Sequence, residues 1–187
     1  MSADHTKKEY SIFAIALNLM LACFVSGLVI ATTYFFTAPL ALEKAAITKT
    51  QVMKTLVTEA DTFTPIDGKT DWFTASKSGQ TIALVVPGES KGYGGKITML
   101  VAVSPEGKVM NFEILKANET PGLGDGANKE PFKKQFTDKN SEALIVTKDP
   151  SNTKNIQAMT GATISSKAVT LGVKGAVDEV VQFEGGK

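Results

Sequence analysis

The sequence predicts an α+β protein, with one N-terminal transmembrane helix followed by a single domain of largely antiparallel sheet and flanking helices. Three observations predict this architecture: a long uncharged apolar run near the N-terminus, a succession of β-rich segments, and helical patterns at both ends of the remaining chain. The 187 residues suit one domain plus an extension, and 43% hydrophobic residues are ample for a core. No repeat or low-complexity tract divides the domain.

The N-terminal apolar run predicts a membrane span. No charged residue occurs over 10–42, and the apolar stretch 12–38 exceeds the ~20 residues that cross a ~30 Å hydrocarbon core as a helix. A cleaved signal peptide is the alternative, but its apolar region usually has ~7–15 residues. We therefore predict a tail over 1–9 and a transmembrane helix over 10–38.

The charges that flank the span predict its orientation. Lys7 and Lys8 precede it, and the positive-inside rule places such residues in the cytoplasm. We expect a single-pass protein of the inner (plasma) membrane with a cytoplasmic N-terminus and its domain on the extracytoplasmic side. The segment Met20–Cys23 weakly resembles a lipoprotein cleavage box, yet the sequence stays apolar through Phe36, where a mature lipoprotein would turn polar.

Beyond the span, local patterns predict the elements of the domain. Pro39 permits a break, after which a stalk helix over 39–60 leads into a domain over 61–187. Period-2 or β-rich runs predict strands at 71–76, 81–86, 96–103, 108–116 and 143–147. The segment Ser104–Gly107 predicts a hairpin turn. We expect a helix at 129–136, with Pro131 in its first turn, and an amphipathic helix at 164–183.

The residue types that are missing exclude several kinds of chemistry. The lone histidine is His5 and the lone cysteine is Cys23, so the domain has no ligands for zinc, a cysteine-held cluster or a histidine-held haem, and no Ser-His-Asp triad. We assign no catalytic residue and no metal ligand, and any redox role needs an organic cofactor. The net charge of +1 does not indicate a nucleic-acid-binding face.

A hydroxyl-rich segment opens the last predicted helix. Thr160 and Thr163 can cap a helix, Gly161 permits an unusual backbone angle, and Ser165 and Ser166 fall in the first turn. A helix N-terminus with free N–H groups and nearby hydroxyls, around Ala162 here, is suited to bind a phosphate. An ordinary cap without a ligand is the alternative for this segment taken alone.

Two further segments are rich in glycine. The loop Gly92–Gly95 precedes a strand, and its glycines allow close approach to a flat ligand on which Tyr93 can stack. The segment Gly122–Gly126 is a poor match to a dinucleotide fingerprint, because its third glycine falls too early. Taken singly, each segment is also compatible with a surface turn or loop.

Taken in order, Gly92–Gly95, Glu119–Gly124 and Thr160–Ser166 resemble the FMN-binding domain family. Within it, the pattern is most similar to the G subunits of Rnf-type electron-transport complexes, and the C subunit of the sodium-translocating NADH:quinone reductase has a similar domain. The resemblance implies that FMN is joined through its phosphate to Thr163 and is installed by a separate flavin transferase using FAD.

The resemblance also implies which residues surround the cofactor. The phosphate end would lie among Thr160, Gly161, Ala162, Thr163, Ser165 and Ser166, and the flavin ring near Tyr93, Glu119, Thr120, Gly122 and Leu123. The chain departs from the family pattern at two positions. Ala117 stands where many members have His, and Gln157 stands where many have Asp.

The function that the resemblance implies is that of a membrane-anchored flavoprotein subunit, which relays electrons within an ion-translocating ferredoxin:NAD oxidoreductase. Its partners would be the other membrane subunits of the complex, with ferredoxin and NAD bound by those subunits. One alternative is a component of a sodium-translocating NADH:quinone reductase, or a stand-alone exported FMN reductase. A third possibility is a tethered binding module without redox chemistry.

Overall fold

The computed structural model describes residues 11–185, without the side chains of 39–48. The chain divides into two compact units, one up to Lys49 and one from Thr50 onward. A single helix, α1 (Ile12–Leu56), contributes to both. Its backbone continues through Pro39, where the sequence permits a break, and it ends short of residue 60. The predicted boundary between span and stalk therefore falls inside a helix.

The first unit consists of an apolar helical segment whose side chains are exposed. The stretch Ile12–Ala38 has a mean hydropathy of 2.4 and is long enough to cross a membrane. The hydroxyls of Ser26, Thr32 and Thr33 each donate to the carbonyl four residues earlier, at 2.7–2.8 Å. Because these groups are paired within the helix, they do not oppose burial in hydrocarbon.

The second unit is built on a five-stranded antiparallel sheet. Its strands are β1 (Thr62–Pro65), β2 (Phe73–Lys77), β3 (Gln80–Lys91), β4 (Lys96–Val103) and β5 (Val109–Lys116), paired in chain order. The turn Ser104–Gly107 closes the last hairpin with a 2.9 Å bond from the Gly107 N–H to the Ser104 carbonyl. The predicted α+β class with a largely antiparallel sheet is confirmed.

Both faces of this sheet are covered. The side chains of each strand point alternately to one face and to the other. On β3, Leu84 and Val86 join the cluster that contains the C-terminal helix, whereas Ala83 and Val85 join the cluster that contains Met53 near the end of α1. Successive side chains on a strand point to opposite faces, so the unbroken apolar run of β3 indicates burial on both.

Strand β3 extends beyond the predicted residues 81–86, through Pro87 and Gly88. The pairing with β2 ends at Phe73 and Val85, so Pro87 lies where β3 pairs only with β4. Proline is tolerated there because the strand is locally an edge.

The remaining elements cover the face of the sheet to which Leu84 and Val86 point. They are the 3₁₀ turns Gly124–Asn128, Lys134–Phe136 and Ser141–Ala143, the short helix α2 (Glu130–Lys133), the parallel pair β6 (Val146–Thr147) and β7 (Ile156–Gln157), and the helix α3 (Thr163–Gly185). The predicted helix at 129–136 is thus a short α-helix followed by a 3₁₀ turn. The predicted strand at 143–147 is reduced to two residues, because a 3₁₀ turn occupies its start.

A close backbone contact fixes the position of α3 on the sheet. A Cβ placed on Gly88 would lie 2.8 Å from the Gly172 carbonyl oxygen and 3.0 Å from the Met99 side chain. We predict that Gly88→Ala lowers the free energy of unfolding by about 1–3 kcal/mol, because backbone must shift to admit the methyl group. Fluorescence of Trp72, the one tryptophan and a buried one, reports this unfolding.

Gly175→Ala, on the helix α3 that Gly88 contacts, is the control. A Cβ at Gly175 meets nothing within 4 Å, so the helix should gain up to about 1 kcal/mol from the better helix former. Equal destabilisation by both substitutions would contradict the close-contact explanation.

Candidate functional site

A cavity of about 660 Å³ lies where the three sequence motifs meet. Its wall is formed by Tyr93 from the tip of the β3–β4 hairpin, by Lys148 after β6, and by Gly161–Ser165 at the start of α3. Thr120, Leu123 and Gly124 of the second motif complete it. This volume is in the range of small-molecule and cofactor sites. Segments that are distant in the sequence therefore form one wall.

Glu119 joins these segments. Its Oε1 accepts a 3.1 Å hydrogen bond from the backbone N–H of Gly94, and its Oε2 accepts a hydrogen bond from the Ser165 hydroxyl. One half-buried carboxylate thus connects the hairpin tip, its own loop and the first turn of α3. The resemblance implies that Glu119 lies near the flavin ring; in the structure Glu119 is bonded to Ser165 of the cavity lining and is not itself a lining residue.

Two glycines make this close approach possible. A Cβ on Gly94 would lie 1.7 Å from the Asn118 carbonyl oxygen. A Cβ on Gly124 would lie 2.7 Å from both the Glu119 Cβ and the Ser165 Oγ. Any side chain at either position would push Glu119 away from its partners.

The start of α3 presents backbone donors to the cavity. The Ser166 N–H donates to the Ala162 carbonyl at 2.9 Å, and this is the first bond of the helical pattern. The N–H groups of Thr163, Ile164 and Ser165 precede it and have no acceptor within the helix. Because these residues line the cavity, their N–H groups and the positive end of the helix dipole can hold an anion there.

Ser166 has a structural role. Its hydroxyl accepts a 2.9 Å hydrogen bond from the Met159 N–H and donates to the Ala162 carbonyl, also at 2.9 Å. The side chain is fully buried and lies outside the cavity wall. Together with Gly161, whose φ of +75° favours glycine, it fixes the turn that enters α3.

Gly124, Lys148 and Ile164 line the cavity without being among the predicted site residues, and of these three Lys148 alone lies outside the sequence motifs. It is exposed, and among the described side chains it makes no ion pair. Nothing in the sequence distinguishes it from the other lysines. Hydrogen bonds from the Ser151 hydroxyl and then from its N–H lower the pKa of the neighbouring Asp149, so that carboxylate faces Ser151 in its ionised form.

Large apolar side chains are exposed around the cavity. Tyr93 is 71% exposed, Ile164 is 55% exposed and Leu123 is 45% exposed. Such a cluster around one cavity is typical of a surface that a ligand or partner covers.

The predicted site residues divide into two groups. Those that line the cavity are Tyr93, Thr120, Leu123, Gly161, Ala162, Thr163 and Ser165. Those outside its lining are Glu119, Gly122, Thr160 and Ser166. The sequence leaves open whether Lys91 or Lys96 touches a cofactor. Both line a different depression, where Lys96 pairs with Glu89 at 2.6 Å.

Comparison with a family model agrees with this geometry. The model described as the FMN-binding domain matches residues 92–178. That interval begins at the hairpin tip and includes the Glu119 loop, Lys148 and the start of α3. All the segments that form the cavity are therefore inside it.

Curated relatives cover nearly the whole chain. The chain is 57% identical to the G subunit of the proton-translocating ferredoxin:NAD(+) oxidoreductase complex of Clostridium ljungdahlii, over 97% of this chain and 98% of that protein. It is 31% identical to the G subunit of the Na(+)-translocating ferredoxin:NAD(+) oxidoreductase complex of Acetobacterium woodii, over 87% and 88%. It is 33% identical to the G subunit of an ion-translocating oxidoreductase complex of Methanosarcina acetivorans, over 86% and 90%.

Solved structures share the fold. NqrC of Shewanella oneidensis matches with a TM-score of 0.52 and 16% identity, over 70% of this chain and 74% of that one. The C subunit of the Na(+)-translocating NADH-quinone reductase of Parabacteroides distasonis matches with a TM-score of 0.51 and 22% identity, over 60% and 61%. At these identities the likeness describes the architecture alone.

The hydrogen bonds of Glu119 lead to a test of how the site is held together. Glu119→Ala leaves the Gly94 N–H and the Ser165 hydroxyl without their acceptor, so we predict a loss of about 1–3 kcal/mol in the free energy of unfolding. Urea unfolding followed by Trp72 fluorescence measures it. The control is Glu89→Ala, which removes an exposed ion pair worth about 0–1 kcal/mol. Equal losses would contradict the bridging role of Glu119.

Proposed function

Because this chain belongs to the G-subunit family of ion-translocating ferredoxin:NAD(+) oxidoreductase complexes, we propose that it is a membrane-associated flavoprotein subunit that carries FMN and transfers electrons within such a complex. The observation that carries the proposal is that three segments inside the FMN-binding match form one cavity of suitable size. FMN would supply the electron-transfer chemistry, and the protein would bind it, orient it and tune its surroundings.

The cavity offers complementary surfaces for the two ends of FMN. The N–H groups of Thr163, Ile164 and Ser165 and the positive charge of Lys148 suit a phosphate dianion. The exposed side chains of Tyr93 and Leu123 suit the flat isoalloxazine ring, which Tyr93 can stack against.

We further propose that FMN is attached to Thr163 as a phosphoester. Thr163 is the first residue of α3 and lines the cavity, whereas Thr160 precedes the turn and lies outside the lining. The Thr163 hydroxyl is therefore the one beside the phosphate-binding N–H groups. A separate flavin transferase would use FAD as donor, so that the hydroxyl oxygen bonds to the FMN phosphorus, AMP leaves and the hydroxyl proton is released. Covalent attachment would keep the cofactor from being lost.

We place the domain on the extracytoplasmic side of the plasma membrane, with the N-terminus in the cytoplasm. Lys7 and Lys8 lie before the apolar helix, as the positive-inside rule requires. The segment 12–38 contains no charged residue, so the ion path would lie in other membrane subunits. Relatives named for proton and for sodium translocation share this subunit, which agrees with an ion path elsewhere. Ferredoxin and NAD would bind to other subunits.

The sequence resemblance also leaves open a second candidate, a component of a sodium-translocating NADH:quinone reductase, whose C-subunit structures share the architecture of this chain. Purification of the native complex distinguishes the two. Ferredoxin-dependent NAD reduction by the purified complex supports the first candidate, and quinone reduction by NADH supports the second.

The test of attachment is the intact mass of the full chain after co-expression with a flavin transferase. We expect a yellow protein whose mass has increased by one FMN less one water. Thr163→Val should abolish both the added mass and the colour, because it removes the ester oxygen while keeping a side chain of similar shape. Thr160→Val, which lies three residues earlier and outside the lining, should keep both.

Two outcomes would contradict this proposal. If Thr163→Val keeps the added mass, another residue holds the flavin. If the unsubstituted chain stays colourless while a known substrate of the same transferase is flavinylated, covalent FMN is not attached to this chain.

The orientation has a separate test. Alkaline phosphatase fused after Lys187 should be active, because that enzyme folds only outside the cytoplasm, and a green fluorescent protein fused there should be dark. Fluorescence from the C-terminal fusion, with an inactive phosphatase fusion, would reverse the proposed topology.

A further inference from the structure

We infer that Gln157 is a positioning residue, whose carboxamide holds the loop 148–152 so that Lys148 stays at the cavity wall and faces the phosphate of the ligand. The identity of that ligand rests on the proposed function. The loop geometry itself does not, and it can be tested without any ligand.

The Gln157 carboxamide is a donor to two points of the loop. Its Nε2 donates to the Asp149 carbonyl and, at 3.2 Å, to the Asn152 carbonyl. The loop adds a bond of its own, from the Asn152 N–H to the Asp149 carbonyl at 3.1 Å. The Gln157 side chain, which lies outside the loop, therefore holds both Asp149 and Asn152 of the loop by hydrogen bonds.

Gln157 is itself held in place. Its N–H donates to the Gln135 Oε1 at 2.7 Å, and its carbonyl accepts from the Gln135 Nε2 at 3.5 Å. It also lies on β7, which pairs with β6 directly before Lys148. The backbone that carries the carboxamide is thus held in place, so the carboxamide can restrain the loop to which it is bonded.

These bonds fix the backbone on both sides of Lys148. The Thr147 carbonyl accepts from the Ala158 N–H at 2.8 Å, and the Asp149 carbonyl accepts from Gln157. Parallel pairing of β6 with β7 brings the end of β6 beside the segment that leads into the turn before α3. Lys148 is therefore held near the start of α3, where the free N–H groups lie.

The chemistry requires a donor at position 157. An amide nitrogen carries two hydrogens and can serve two carbonyl oxygens at once. A carboxylate has no hydrogen to donate and would face two carbonyl oxygens. A methionine has nearly the same length and no donor, so Gln157→Met removes the two bonds without adding charge.

The experiment uses the full chain in detergent, produced without a flavin transferase so that binding is reversible. Dissociation constants for FMN and for riboflavin, which lacks the phosphate, are measured by quenching of flavin fluorescence. The variants are Lys148→Met, Gln157→Met and the double variant, with Gln182→Met on the exposed face of α3 as the matched control. Trp72 fluorescence melting verifies that each variant is folded.

We expect Lys148→Met to weaken FMN binding by about tenfold, as the loss of one charge-assisted contact implies, while riboflavin binding changes less than about twofold. Gln157→Met should weaken FMN binding by about three- to tenfold and spare riboflavin. The affinity of the double variant for FMN should be within about twofold of the affinity of Lys148→Met, because both substitutions remove the same contact. Gln182→Met should behave as the unsubstituted chain.

Three results would overturn the inference: unchanged FMN affinity in Gln157→Met, losses that multiply in the double variant, or an equal loss for FMN and riboflavin. Hydrogen exchange of the Asn152 amide supplies the ligand-free readout. It should accelerate about tenfold in Gln157→Met and stay unchanged in Lys148→Met, because only the first variant opens the loop. Unchanged exchange in Gln157→Met also overturns the inference. If the unsubstituted chain binds neither flavin reversibly, the exchange result alone decides the positioning role, and the proposed function is decided by the flavin-attachment test described above.

Discussion

The candidate site depends on one carboxylate. Glu119 accepts hydrogen bonds from the hairpin tip through Gly94 and from the first turn of α3 through Ser165. These partners are 25 and 46 residues away in the sequence, so no local propensity would bring them together. The glycines at 94 and 124 follow from the same constraint, because a Cβ at either position would displace the Glu119 segment. The resemblance implies a glutamate near the cofactor, and its hydrogen bonds show that this glutamate also holds two segments of the site together.

Much of the architecture could be predicted from the sequence because its patterns are strong. The predicted strand at 96–103 has the same bounds as β4, since a run of eight residues, six of them apolar, lies between clear turn signals. The order of the three motifs predicts the family, and the third motif marks the start of α3. The strand β1 escapes prediction because it has four residues and mostly exposed side chains. The pair β6 and β7 has two residues in each strand, too few to show any periodicity.

At the level of single residues, the sequence could not separate the residues that line the cavity from those that hold the surrounding structure in place. Ser165 and Ser166 look alike in the motif and both are buried, yet only Ser165 lines the cavity. Lys148 has no motif around it, because its place comes from strand pairing and from the side chain of Gln157. Gln157 itself stands out only as a departure from the family pattern. In the structure, the amide at that position donates two hydrogen bonds that a carboxylate could not donate.

The long separation between the partners of Glu119 has a consequence for how the protein matures. An unfolded or partly translocated chain contains the hydroxyl-rich segment but has no wall opposite it, since the hairpin tip and the loop come together with the start of α3 only after the sheet has formed. If cofactor attachment depends on that assembled surface, it must come last in biogenesis, after membrane insertion and folding. A colourless fraction of the protein in the cell would then consist of immature chains, and the yellow colour would mark those that had passed quality control.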